Sequence, residues 1–105
     1  MALRIVVVGG GAAGIGAAGT AHTIDPDASV TVYTEFEDVG YSPCGIPYVH
    51  GKEIPKFENL FLQDKAFYKK MGLDIHYETR VNSVDLENAK VSVEGEGDVS
   101  YDKLV

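Results

Sequence analysis

The sequence predicts an α/β fold, a parallel sheet joined to an antiparallel β-meander, and three observations carry that prediction. A run of four β-branched residues, Ile5-Val6-Val7-Val8, stops at three glycines, as a strand buried on both faces does where the chain turns into a helix. A second strand-like run over 30–34 follows the alanine-rich segment that those glycines open. Further on, apolar runs alternate with the turn residues Glu87-Asn88 and Gly95-Glu96-Gly97-Asp98, the pattern of consecutive hairpins.

Composition narrows the function. With 105 residues the chain is at most one domain. Its net charge is −7 and its nine Lys and Arg form no basic cluster, which argues against nucleic acid or an anionic membrane as partner. No apolar run approaches the ~20 residues that cross a bilayer. Residues 1–10 lack signal-peptide order, because their apolar run leads straight into the glycines. The single cysteine, Cys44, permits no disulfide within the chain and fits a reducing, cytoplasmic setting. Residues 101–105 read as a strand just beginning, so the chain is expected to be a fragment.

In order along the chain, the first strand spans 3–8 and the first helix 11–24. Gly9, Gly11 and Gly14 fit G-x-G-x-x-G: the first allows a tight turn, the second lets backbone approach a pyrophosphate, and the third lets the helix lie close to the strand. The N–H groups opening that helix, at its positive dipole end, are then free for phosphate oxygens. Glycines serving close packing alone are the alternative. Asp25-Pro26-Asp27 ends the helix, since Pro26 disfavours α conformation in the residue before it and has no N–H to donate. With the strand over 30–34 this makes a Rossmann-like β-α-β unit. A carboxylate at the end of such a second strand can accept hydrogen bonds from ribose hydroxyls. Glu35, 26 residues after Gly9, fits that role, with Glu37 and Asp38 as competitors and an acidic solvated turn as the plainer reading.

Residues 40–48 carry the most chemistry. Cys44 lies between Pro43 and Gly45, with Pro47 three residues on, which suits the first turn of a short helix. A thiol there has its thiolate stabilised and becomes a nucleophile, and Gly45 would let a flat ring come close to the sulfur. A buried, inert thiol is the alternative. Residues 51–62 show no period and read as a loop over the surface or the cofactor. Gln63 or Asp64 caps a helix reaching about residue 71, whose Phe67, Tyr68 and Met71 form an apolar stripe for the core, and Gly72 ends it. Residues 73–77 alternate as a third strand extending the parallel sheet. The runs 82–86, 90–94 and 99–105 form the meander, the last rejoining the parallel sheet. His22, His50 and His76 have no partners at metal-ligand spacing, so no metal is assigned.

With the glycine loop, the acidic turn and Ser42-Pro43-Cys44-Gly45-Ile46-Pro47-Tyr48 in place, the chain resembles the amino-terminal part of the single-cysteine pyridine nucleotide-disulfide oxidoreductases. That flavoprotein family includes coenzyme A-disulfide reductases, NADH oxidases, NADH peroxidases and polysulfide reductases. The resemblance implies that residues 1–105 are a truncated Rossmann-like FAD-binding domain, with NAD(P)H-binding and dimerisation domains absent, and that the full-length protein is a homodimer. It also implies that the glycine loop holds FAD, that NAD(P)H reduces FAD, and that the flavin passes two electrons to Cys44. The cysteine would cycle between a thiolate and either a mixed disulfide with a small thiol or a sulfenic acid. With no second cysteine in the chain, the partner sulfur comes from outside.

By the same resemblance, Gly9, Gly11, Ala12, Ala13 and Gly14 match the pyrophosphate loop, and Ser42, Pro43 and Cys44 match positions beside the isoalloxazine. Val81 matches the position whose backbone meets the adenine. Two departures stand out. Counted back from the cysteine, the family's ribose-binding glutamate falls on Thr34, with Glu35 one residue later. The far half of the first helix carries His22 and Thr23 where coenzyme A-using members often have arginines. The implied activity is FAD-dependent NAD(P)H oxidoreduction of a disulfide, polysulfide or oxygen species, with no turnover by this piece alone. The competing function is a nucleotide-binding module without redox chemistry of its own.

Overall fold

The computed structural model describes residues 3–40, 44, 46–56 and 65–105, and the strand at its centre is β1 (Arg4–Val8). Ile5, Val6 and Val7 are buried because β1 has a parallel neighbour on each side. On one side β2 (Ser29–Tyr33) sets Val30 opposite Ile5 and Val32 opposite Val7. On the other, β7 (Lys103–Leu104) pairs with Ile5 and Val6. With β3 (Asp74–His76) added beyond β2, the sheet order is β3-β2-β1-β7. Parallel neighbours need crossovers. The helix α1 (Ala12–Ile24) supplies the one from β1 to β2, and α3 (Lys65–Met71) leads into β3. A five-residue helix, α2 (Ile46–His50), lies between β2 and α3.

Alternation along the strands divides the interior in two. Ile5, Val7, Val30 and Val32 face Ile15 and Ala18 of α1 and Tyr68 of α3. Val6 and Tyr33 face the other way, onto Val91, Val93 and Tyr101. That second face is covered by an antiparallel meander of β4 (Val81–Asp85), β5 (Lys90–Val93) and β6 (Gly97–Ser100), in that order. The result is three layers, helices, parallel sheet and meander, stacked about two apolar seams. Val7, Val32, Val91 and Val93 are completely enclosed, each contributing about 1.5–3 kcal/mol of burial.

Three expectations change in detail. The run over 99–105 is two strands, because the chain changes sheets at Tyr101. The Tyr101 N–H donates to the Ala89 carbonyl in the meander (3.0 Å), and the Asp102 N–H donates to the Arg4 carbonyl in the parallel sheet (2.8 Å). In α3, Tyr68 is buried and Met71 partly so, but Phe67 is 45% exposed; a seven-residue helix presents one narrow face to the core. The third strand is confined to 74–76 because Tyr77 and Glu78 turn, with Glu78 at φ +50°. The helix caps expected at Gln63 or Asp64 lie outside the described residues.

Candidate functional site

The neighbours of β1 are reached in opposite directions, β2 through α1 and β7 only after the meander. In an open α/β sheet such a reversal leaves a crevice at the strand's carboxyl end, and the three glycines of the loop stand there. Gly9 has φ +112°, a conformation that a side chain would strain, and its N–H donates to the Tyr33 carbonyl at 2.8 Å. A Cβ on Gly14 would run into the Gly9 carbonyl, so that glycine is what lets α1 lie this close to the loop.

Gly11 is different. Its backbone is ordinary and extended (φ −75°, ψ −172°), and a Cβ there would meet nothing within 4 Å. Nothing among the described residues demands glycine at 11, whereas a group lying over the loop would. Gly11 is also the N-cap of α1, with no side-chain cap and no acid in the first turn. The helix ladder begins with the Ile15 N–H donating to the Gly11 carbonyl at 3.0 Å. Gly11, Ala12 and Ala13 are exposed. The start of α1 is therefore an anion cradle of backbone N–H groups, and a diphosphate-bearing cofactor fits it.

At the end of β2, Thr34 is 3% exposed and fully engaged. Its N–H donates to the His76 carbonyl (3.0 Å), its carbonyl accepts from the Thr79 N–H (2.8 Å), and its Oγ1 accepts from the Phe36 N–H (3.3 Å). The hydroxyl is thus turned inward, where it braces the turn. Glu35 is exposed, with Arg80 Nε 4.0 Å from its Oε2. Glu37 is exposed, and Asp38 faces Lys65 Nζ at 3.8 Å. Val81, the half-buried first residue of β4, follows Arg80, so Thr34, Glu35 and Val81 gather at one end of the site.

The segment leading to the cysteine starts from the same edge. The Gly40 N–H donates to the Gly10 carbonyl at 2.8 Å, so the glycine loop and the chain ahead of Cys44 are joined backbone to backbone. Cys44 is an exposed free thiol in a 3₁₀ turn two residues ahead of α2, rather than inside the first turn of that helix. Ser42 and Pro43 lie outside the described residues.

The sequence profile of the pyridine nucleotide-disulphide oxidoreductases matches residues 3–105. The chain belongs to that family. It is 35% identical over 108 residues to an NADH oxidase of Methanocaldococcus jannaschii, covering 98% of this chain and 24% of that protein. To an NAD(P)H coenzyme A polysulfide/persulfide reductase of Pyrococcus horikoshii it is 37% identical over 103 residues, covering 97% of this chain and 23% of the other. A solved NAD-dependent persulfide reductase from A. fulgidus superposes with a TM-score of 0.88 at 34% identity, over 97% of this chain and 20% of that one. The chain thus spans about a quarter of the length of the curated relatives it matches.

One polar cluster of this chain was not visible in its sequence pattern. His76 on β3 has Nε2 3.0 Å from Asp74 Oδ2 and Nδ1 3.1 Å from Glu96 Oε1, and its ring lies 4.9 Å from that of Tyr33. It ties the edge of the parallel sheet to the turn between β5 and β6. Burial, with Glu96 and Asp74 nearby, pushes the Tyr33 phenol above its ordinary pKa. The i, i+2 spacing of Asp74 and His76 could have flagged half of this cluster; Glu96 comes from a distant turn. Among the described residues no group of three or more His, Cys, Asp or Glu is placed to hold a metal. No helix among them is long and apolar enough to cross a membrane.

Proposed function

We propose that this chain is the flavin-binding part of an FAD-dependent NAD(P)H oxidoreductase that reduces a disulfide, polysulfide or oxygen species through Cys44. The observation that carries the reading is the 2.8 Å bond from the Gly40 N–H to the Gly10 carbonyl. It puts the lead-in to the lone thiol on the loop whose open Gly11 and uncapped helix suit a diphosphate.

In this reading Gly9 and Gly14 shape the loop, and the N–H groups of Gly11, Ala12, Ala13 and Gly14 hold the diphosphate oxygens. Glu35, steadied by Arg80, takes the ribose hydroxyls. Thr34 supports the turn from behind rather than replacing the acid. The backbone of Val81 borders the adenine, and Ser42 and Pro43 border the flavin ring. Bound there, FAD supplies the path for two electrons from NAD(P)H to sulfur.

The chain's own chemistry is that of Cys44. Its thiolate attacks a substrate S–S bond, forming a new S–S bond to Cys44 while the old one breaks, and the leaving sulfur takes up a proton. With a peroxide, the Cys44 thiolate would take one oxygen as the O–O bond breaks, becoming a sulfenic acid while the other oxygen leaves, protonated, as water or an alcohol. We place the sulfur substrates first, because the relatives from P. horikoshii and A. fulgidus bear polysulfide or persulfide reductase names. The NAD(P)H-binding and dimerisation domains belong to the remainder of a longer, cytoplasmic protein, without which residues 1–105 do not turn over.

The full-length protein is expected to be yellow, and Cys44→Ser to lower NAD(P)H-dependent reduction of a disulfide or polysulfide about 10³-fold. Full activity in that variant would overturn the cysteine mechanism. A colourless full-length protein would leave a nucleotide-binding module without redox chemistry.

A further inference from the structure

Gly40 meets two demands at once. It is buried at φ +68°, where a side chain is strained, and a Cβ there would run into the hydroxyl of Tyr68, with the ring Cζ a further 3.2 Å contact. Tyr68 comes from α3, well beyond Cys44, and is 3% exposed. It shares the helix-side core with Val39. Val39 in turn lies against the glycine loop, since a Cβ on Gly10 would be 2.5 Å from its Cγ1. The stack thus runs from Gly10 through Val39 and Gly40 to Tyr68. A second contact holds the same two segments together, from Lys65 Nζ of α3 to Asp38 Oδ1 at 3.8 Å.

We propose that Tyr68 is a positioning residue for Cys44: its buried hydroxyl is the stop against which Gly40 seats, fixing where the cysteine segment leaves the glycine loop. The inference rests on the reading of Cys44 as the reactive thiol. Tyr68 touches no reacting atom in this scheme. It acts through Gly40, whose N–H is committed to the Gly10 carbonyl, so a displaced Gly40 shifts the point beside the glycine loop from which the chain sets out toward Cys44.

The test compares Gly40→Ala, Tyr68→Phe and the double variant in the full-length protein. Two readouts are taken, the rate of Cys44 alkylation by iodoacetamide at neutral pH and the FAD retained through gel filtration. Gly40→Ala is expected to lower the alkylation rate about tenfold, the scale of a strained, displaced backbone position. Tyr68→Phe keeps the ring and the core, folds, and is expected to lower the rate at least about threefold, because Gly40 loses the hydroxyl it seats against. Removing the hydroxyl makes room for the new Cβ, so Tyr68→Phe placed on Gly40→Ala should restore at least about threefold, a coupling that two independent sites would not show. A Tyr68→Phe protein with wild-type alkylation, or a double variant no better than Gly40→Ala, overturns the proposal. Wild-type Cys44 reacting no faster than a peptide cysteine would instead overturn the underlying reading of the thiol.

Discussion

Gly9 and Gly14 shape the glycine loop by meeting each other across a few residues, whereas the segment 34–40 is held by partners far along the chain. Thr34 is fixed by His76 and Thr79, and Gly40 by Tyr68. The first region is a local device, determined by backbone sterics within one β-α turn. The second takes its shape only when α3 and β3 have docked. A change at Gly9 or Gly14 should therefore be felt at once by the fold, and a change at Gly40 should be felt mainly by the site.

The severest way to break that contrast is Gly14→Ala. The Gly9 carbonyl blocks the new Cβ, and a loss of about 3 kcal/mol in urea denaturation is expected; a wild-type midpoint would show that α1 does not need its close approach. Gly11→Ala sharpens the same contrast from the opposite side. Open space around that Cβ predicts unchanged or slightly higher stability, yet FAD affinity in the full-length protein should fall about tenfold, or about 1.4 kcal/mol. Equal FAD binding by this variant would remove the argument that Gly11 serves a ligand.

Glu78→Gly tests the distant support of the segment 34–40. Glu78 holds φ +50° while its N–H donates to the Phe36 carbonyl at 2.9 Å, so relieving the strain should raise stability by about 1 kcal/mol. A lower melting point would mean that the side chain, not the backbone, is what matters there.

The smallest effect lies at the sheet edge, where Asp102 accepts from the Arg4 N–H at 2.8 Å and faces its guanidinium. Those hydrogen bonds hold the Asp102 carboxyl below its ordinary 3.8. A lowered folded-state pKa gives stability that is present above the unfolded value and lost as pH falls through the folded one. Asp102→Asn should therefore melt below wild type at pH 7, with the gap closing in acid. A gap that persists at low pH would assign the effect to packing.

What the sequence disclosed follows the same division. β1, α1 and β2 were legible because strand burial, the glycine turn and Pro26 act through near neighbours. So were the meander and the parallel placement of β3. The return of the last run to the parallel sheet was legible too, but its division at Tyr101 was hidden, since residues 99–105 look like one strand and only the Ala89 and Arg4 carbonyls divide it. The exposure of Phe67 depends on which face of α3 meets the core. At the ribose position the residue count left Thr34 and Glu35 open. Their contrasting exposure, set by bonds from Thr34 to His76 and Thr79, could not be read from that count.

The pairing of Lys103 and Leu104 with Ile5 and Val6 has a consequence for biosynthesis. Until residue 104 has cleared the ribosome, the valine-rich middle strand has one bare flank, and the contact that covers it, like that of Arg4 with Asp102, spans nearly a hundred positions. Closures over such separations are slow, and an uncovered apolar strand edge invites pairing with other chains. The nascent polypeptide is thus expected to rely on chaperone shielding through that interval.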